Sequence, residues 1–155
     1  MLERIKNNRI YTFLSISLIL VLFDQITKII FTSKNYFSSF FIHISYSENG
    51  GSAFGLFSNI IYYNYLIIFL SILILFFLFY KIKFFFKNKF YSICFVLLIS
   101  GIIGNLIDRI FFGFVRDFIV LEHFFIFNLA DFYLSFALIY FFVYEYVEYI
   151  EHKKN

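Results

Sequence analysis

Apolar residues along this chain come in long unbroken runs rather than at the intervals of a half-buried helix or strand. Ile60 to Tyr80 is free of charge, and Phe90 to Ile107 is a second, slightly shorter run. A bilayer core about 30 Å thick needs roughly 20 helical residues to cross it, so each run predicts a membrane-spanning helix. Ile10 to Thr32 and Phe132 to Ile150 have similar lengths but are interrupted, the first by Asp24 and Lys28, the last by Glu145 and Glu148. The predicted spans are therefore about 10–32, 60–80, 90–107 and 132–150, in one integral membrane domain over residues 1–155. In the intervening segment 33–59, Phe41, His43, Ser45 and Ser47 alternate with Ile42, Ile44 and Tyr46. Period two with a polar face predicts a strand at the membrane surface. It breaks at Asn49-Gly50-Gly51, where glycine permits a tight turn or the close approach of a ligand to the backbone. The predicted fold class is an all-α polytopic membrane protein, four transmembrane helices with a small extracytoplasmic β-sheet.

Composition and charge sharpen this picture. The chain is 62% hydrophobic, against roughly 45–50% in an average soluble protein. The first run exceeds the 7–15-residue core of a cleaved signal peptide and lacks an A-x-A-like site after it, so it is expected to remain in the mature protein. Arg4, Lys6 and Arg9 precede the first span, Lys81, Lys83, Lys87 and Lys89 fill the second loop, and Lys153 and Lys154 close the chain. The positive-inside rule places these nine in the cytoplasm. Both termini are then cytoplasmic, and segments 33–59 and 108–131 face the outer side. A net charge of +3, gathered at these few places, reads as a topology signal and excludes a nucleic-acid partner. The lone Cys94 has no disulfide partner, and His43, His123 and His152 are too scattered for a metal site. The two histidines of the outer segments read as interfacial polar residues, and Gly101 and Gly104 as points of close helix packing.

The four aspartates, Asp24, Asp108, Asp117 and Asp131, all lie at or near the outer ends of the predicted spans. A carboxylate at membrane depth costs at least about 2.5 kcal/mol on insertion scales, so it usually faces the bundle interior and has a purpose. Structural readings exist for each. Asp24 and Lys28 are spaced i, i+4 and can form an ion pair. Asp108 and Arg109 can be charges at a helix end, and Asp117 and Asp131 can be helix N-caps, since Asp131 opens the last span. The catalytic reading takes Asp117 and Asp131 together, one activating water and the other donating a proton. The connector between them, FIVLEHFFIF, suits either a lid over a substrate or a hydrophobic re-entrant turn, and Glu122 within it reads as a solvated charge.

Read in order, DQITK at 24–28, NGGSAFG at 49–55, GNLIDR at 104–109, GFVRDF at 113–118 and FNLAD at 127–131 resemble the sequence blocks of lipoprotein signal peptidase, or signal peptidase II. The resemblance covers nearly the whole chain. It implies an aspartic endopeptidase of the bacterial inner membrane that cuts diacylglyceryl-modified prolipoproteins just before the lipidated cysteine. It also implies a site near the outer face, no cofactor, a monomer among membrane lipids, and inhibition by globomycin-type peptides. The catalytic pair maps onto Asp117 and Asp131, and the supporting set onto Asp24, Lys28, Asn49, Gly51, Asn105, Asp108, Arg109 and Asn128. Arg116 departs from the pattern, since an apolar residue is frequent there, and is expected to bias the pKa of Asp117 downward. Two other readings remain at this point: a small proton-coupled transporter or channel, which requires a carboxylate near mid-span, and a non-catalytic assembly subunit, which leaves the motifs without a purpose.

Overall fold

The computed structural model describes residues 2–32, 37–38, 42–51, 62–121 and 125–154. Its elements run α1 (Leu2–Phe31), β1 (Phe37–Ser38), β2 (Ile42–Asn49), α2 (Tyr63–Tyr80), α3 (Ile82–Phe85), α4 (Lys89–Phe111), β3 (Val115–Leu121), β4 (Phe125–Phe127) and α5 (Leu129–Lys154). Four of the helices, α1, α2, α4 and α5, are long and apolar enough to cross a membrane. Two helix limits differ from the sequence reading in a way that matters for the site. α4 runs to Phe111 rather than Ile107, and α5 starts at Leu129 rather than Phe132. A helix can run past its uncharged stretch where the charges beyond it find partners. Here Asp108 is paired inside the protein and Asp131 bonds to its own helix start, so neither residue needs to leave the helix.

α4 is the central element, with buried residues along its whole length from Phe90 to Arg109. At one end of the bundle Phe95 and Ile99 pack with Leu78, Phe85, Phe86 and Ile102 in a core of aromatic and aliphatic side chains. Toward the other end α5 crosses so closely that two positions on α4 have no room for a side chain. A Cβ on Gly101 would lie 2.5 Å from Leu134 Cγ and 2.6 Å from the Ala130 carbonyl oxygen. One on Gly104 would lie 2.7 Å from Asp24 Oδ2 and 3.0 Å from Ala130 Cβ. Small residues let helix backbones approach where lipid supplies no hydrophobic drive for association. Gly101→Val is accordingly expected to destabilise the protein by about 1–3 kcal/mol, because the nearest obstacles include a backbone oxygen that cannot swing away. Thermal unfolding in detergent checks this, and an unchanged Tm would contradict the close crossing.

The sheet has the order β1-β2-β3-β4, every pair antiparallel. The strand expected over 41–47 is found at Ile42–Asn49, while Phe41 lies outside the described residues. The connector expected to be a lid or a re-entrant turn is largely strand, since β3 and β4 take up 115–121 and 125–127 and pair with one another. β-Branched and aromatic residues favour that outcome, and pairing satisfies backbone groups that a dipping loop would leave bare. Glu122 and His123 lie outside the described residues. Gly113, with φ of 83°, turns the chain from α4 into β3. In the β2–β3 register Ser47 opposes Asp117, Glu48 opposes Arg116 and Asn49 opposes Val115. Neighbouring strand residues point to opposite faces, so Arg116 and Asp117 are sent in different directions.

Candidate active site

Beneath the sheet, α1 and α4 enclose a buried charge cluster. Asp24, Lys28 and Asp108 are fully inaccessible to solvent. Lys28 Nζ lies 2.9 Å from Asp24 Oδ2 and 3.3 Å from Asp108 Oδ2. Asp108 also receives Arg116, whose Nη2 donates at 2.7 Å to Oδ1 and whose backbone N–H donates at 2.9 Å to Oδ2. Two carboxylates thus meet two cations, and the cluster is neutral as a whole. That balance is required where burying one unpaired ion costs several kcal/mol. Gln25 closes the arrangement: its Nε2 donates to the Gly104 carbonyl at 3.0 Å, and its Oε1 accepts from Arg116 Nη2 at 2.8 Å. The Arg116 guanidinium lies 4.4 Å from the centroid of the Phe112 ring, a cation–π contact.

Arg116 is therefore spent on Asp108, which corrects the expectation that it lowers the pKa of its neighbour Asp117. The strand alternation carries its side chain away. Asp108 is likewise no bare helix-end charge, and Asp24 and Lys28 do form the i, i+4 ion pair that their spacing allows.

Each of the other two aspartates is held by asparagine. Asp117 Oδ2 accepts from Asn49 Nδ2 at 3.1 Å, and its Oδ1 from Asn128 Nδ2 at 2.6 Å. Asp131 Oδ1 accepts from Asn105 Nδ2 at 2.8 Å, and its Oδ2 from the Asn128 backbone N–H at 3.2 Å. Asn128 Oδ1 in turn accepts from the Asp131 backbone N–H at 3.0 Å. This reciprocal pattern is a capping box. The N-cap of α5 is thus Asn128, while Asp131 sits in its first turn, and Asn128 touches both aspartates at once. The same helix start is met by Asp24, whose Oδ1 accepts from the Ala130 N–H at 2.9 Å. A carboxylate there is favoured by the helix dipole.

Two chains of contacts lead to the pair, starting from adjacent residues of α4. From Asp108 one passes through Lys28 to Asn105, whose Oδ1 accepts from Lys28 Nζ at 3.1 Å, and on to Asp131. From Arg109 the other passes to the Gly51 carbonyl at 2.6 Å, from the Gly51 N–H to Asn49 Oδ1 at 3.0 Å, and on to Asp117. The structure brings together all ten residues that the sequence singled out. It adds two: Gln25, which lies inside DQITK but had no assigned role, and Asn64, which bonds Arg109. A lone asparagine in the uncharged run of α2 was the signal for the latter.

Burial, and after it the negative charge of Asp131, push the Asp117 carboxyl up from 3.8 to about 7, against the downward pull of the Asn49 and Asn128 hydrogen bonds and of Lys28. Between those values the unfolded chain has released a proton that the folded chain still holds. The resulting contribution to stability is complete below the unfolded value, falls as pH rises toward the folded one, and amounts to a few kcal/mol. Asp117→Asn has no such proton. Its Tm relative to wild type is expected to rise between pH 4 and pH 7, and a difference independent of pH would contradict the raised carboxyl.

Beside Asp131 opens a cleft of about 600 Å³. Asn49, Asn105, Arg109, Asp131 and Ser135 form its polar part, and Val115, Leu121, Phe125, Ile126, Phe127, Phe132 and Leu134 supply apolar walls. Asp131 contributes surface to this cleft, whereas Asp117 is only 2% exposed and meets it through Asn49, which lines the cleft and donates to Asp117. Among the described residues no three His, Cys, Asp or Glu side chains are grouped to hold a metal ion. The arrangement brings one carboxyl, a guanidinium and two amides to a largely apolar cleft, with the second carboxyl behind Asn49.

A family model described as signal peptidase (SPase) II matches residues 16–147. A lipoprotein signal peptidase of Pelagibacter ubique is 31% identical over 147 residues, covering 86% of this chain and 87% of the relative. One of Halothermothrix orenii is 33% identical over 123 residues, covering 74% of this chain and 81% of the relative. A solved structure described as a bacterial membrane enzyme superposes with a TM-score of 0.79 at 31% identity, with 90% of each chain covered.

Proposed function

Since the chain belongs to the lipoprotein signal peptidase family, a family of aspartic peptidases acting on prolipoproteins in the membrane, we propose that Asp117 and Asp131 are its catalytic pair and that it cuts diacylglyceryl-modified prolipoproteins just before the lipidated cysteine. The observation that carries this reading is the shared asparagine: Asn128 donates to both carboxyls, and one of them lines the apolar cleft. Two carboxyls so coupled hold one proton between them, because a second negative charge in a low-dielectric site is costly. One carboxylate takes a proton from water as the water attacks the scissile carbonyl carbon. The partner carboxylic acid protonates the leaving nitrogen as the C–N bond breaks. The proton belongs to the pair, so the roles of base and acid attach to the pair rather than to either residue alone.

The remaining residues hold this machinery in place. Asn49 and Asn105 fix one carboxyl each, Lys28 holds Asn105, and Asp24 and Asp108 neutralise Lys28. Arg109 and Asn105 reach the cleft and meet the peptide, while the phenylalanines of β4 and α5 offer apolar surface to acyl chains. A globomycin-type peptide fills the same cleft. The lysine and arginine distribution puts both termini in the cytoplasm and the site at the outer face of the inner membrane, where a monomer meets substrate and lipid together. A proton-coupled transporter needs a carboxylate near mid-span, whereas the four aspartates here converge on one end of the bundle.

The test is cleavage in lipid vesicles of one precursor in two forms, with and without diacylglyceryl on its cysteine. The modified form is expected to yield a peptide ending at the residue before the cysteine. Equal cleavage of both forms, or a cut elsewhere, would overturn the proposed substrate.

A further inference from the structure

α2 is attached to the protein unevenly. Leu78, near the end remote from the site, is its one buried residue, and it joins the core there with Phe85, Phe86, Phe95 and Ile99. Toward the site end, Tyr65, Leu66 and Phe69 are all more than half exposed, and Tyr63, Ile67 and Ile68 are half-buried rather than buried. Asn64 does bond there. Its Nδ2 donates to the Arg109 carbonyl oxygen and its Oδ1 accepts from Arg109 Nη1, each at 3.2 Å. Arg109, 7% exposed, makes no ion pair among the described residues. Its direction is set by neutral acceptors, with Asn64 Oδ1 on one nitrogen and the Gly51 carbonyl on the other.

A guanidinium is a rigid planar fork, so fixing one nitrogen also aims the other. The aimed nitrogen, Nη2, holds the Gly51 carbonyl at 2.6 Å. Gly51 holds Asn49, and Asn49 holds Asp117. We propose that Asn64 is a positioning residue for hydrolysis: it orients the Arg109 fork on the 49–51 turn and thereby keeps Asn49 against Asp117. This rests on the catalytic assignment of Asp117. Replacing Asn64 by leucine keeps the bulk and removes both hydrogen bonds. The Arg109 donor is then left unpaired and the fork turns toward another acceptor, taking the turn with it. Asn64→Asp keeps an acceptor for Nη1.

Steady-state cleavage of the diacylglyceryl precursor by Asn64→Leu, Asn64→Asp and wild type tests the proposal, with Tm measured for each. The leucine variant is expected to lose about tenfold in kcat with KM within about twofold, because small misplacements of a catalytic group act on the chemical step. The aspartate variant is expected to keep kcat within about threefold, and both to keep the wild-type Tm within a few degrees. Wild-type kcat in the leucine variant, equal losses in both variants, or a loss confined to KM would each overturn it. Should the leucine variant not fold, Asn64→Ala is judged by the same criteria. Asp117→Asn is run alongside: a folded, active form of it would overturn the catalytic assignment itself, an outcome that the Asn64 variants do not produce.

Discussion

Asp117→Asn and Asp131→Asn are each expected to lower kcat/KM on the modified precursor by roughly 10³-fold or more while leaving the protein folded. The magnitude follows from what an amide cannot do: it neither accepts the proton of the attacking water nor delivers one to the leaving nitrogen. General acid and base contributions run at about 10²–10⁴ each, and groups that act as one unit do not lose activity independently. The double variant should therefore be little worse than either single one. The fold should survive because Asn is nearly isosteric and an amide oxygen still accepts one hydrogen bond at each place. At position 117 it also removes a carboxyl that the folded protein holds at a cost near neutral pH. Rates and Tm measured on the same preparations separate loss of chemistry from loss of structure. Either variant retaining more than about a tenth of wild-type activity would remove that residue from the pair.

Asp108→Ala is expected to have the largest effect on stability, a loss of about 3–5 kcal/mol. The fully buried carboxylate faces Lys28 Nζ at 3.3 Å and Arg116 Nη2 at 2.7 Å, and receives the Arg116 backbone N–H at 2.9 Å. Lys28 keeps Asp24 at 2.9 Å when Asp108 is lost, but Arg116 makes no ion pair other than that with Asp108 among the described residues. A neutral cluster of two acids and two bases then becomes one acid and two bases, with the excess charge buried. Coulomb gain and desolvation nearly cancel in an intact buried pair, and removing one partner leaves the desolvation term alone. Combining Asp108→Ala with Arg116→Met should recover part of the loss, since the orphaned cation goes with its partner. Denaturation in detergent reads both, and strictly additive effects would contradict the coupling.

Much of this was legible in the sequence, for reasons that differ from residue to residue. Helix α2 stood out because lipid tolerates a continuous apolar run, so its surface needs no polar pattern. Asp24 and Lys28 stood out through their i, i+4 spacing, and the strand around His43 through its period of two. α4 and α5 run past the uncharged stretches that mark their spans because pairing across elements lets Asp108 and Asp131 stay helical. Asn128 and Asp131 are both good caps by residue type, and only the reciprocal bonds tell which one caps and which is capped. The direction of Arg116 was readable in principle, because strand alternation alone separates it from Asp117. The bond between Asn64 and Arg109 joins residues 45 apart on two helices, and no local pattern carries it.

Single-turnover digestion of the diacylglyceryl-modified precursor by wild type, Asp117→Asn and Asp131→Asn, with product masses determined, tests the catalytic pair most directly. Wild type is expected to release a peptide ending immediately before the lipidated cysteine, and neither folded variant is expected to release it. The same product from either variant, or a wild-type cut at any other bond, would contradict the proposed activity.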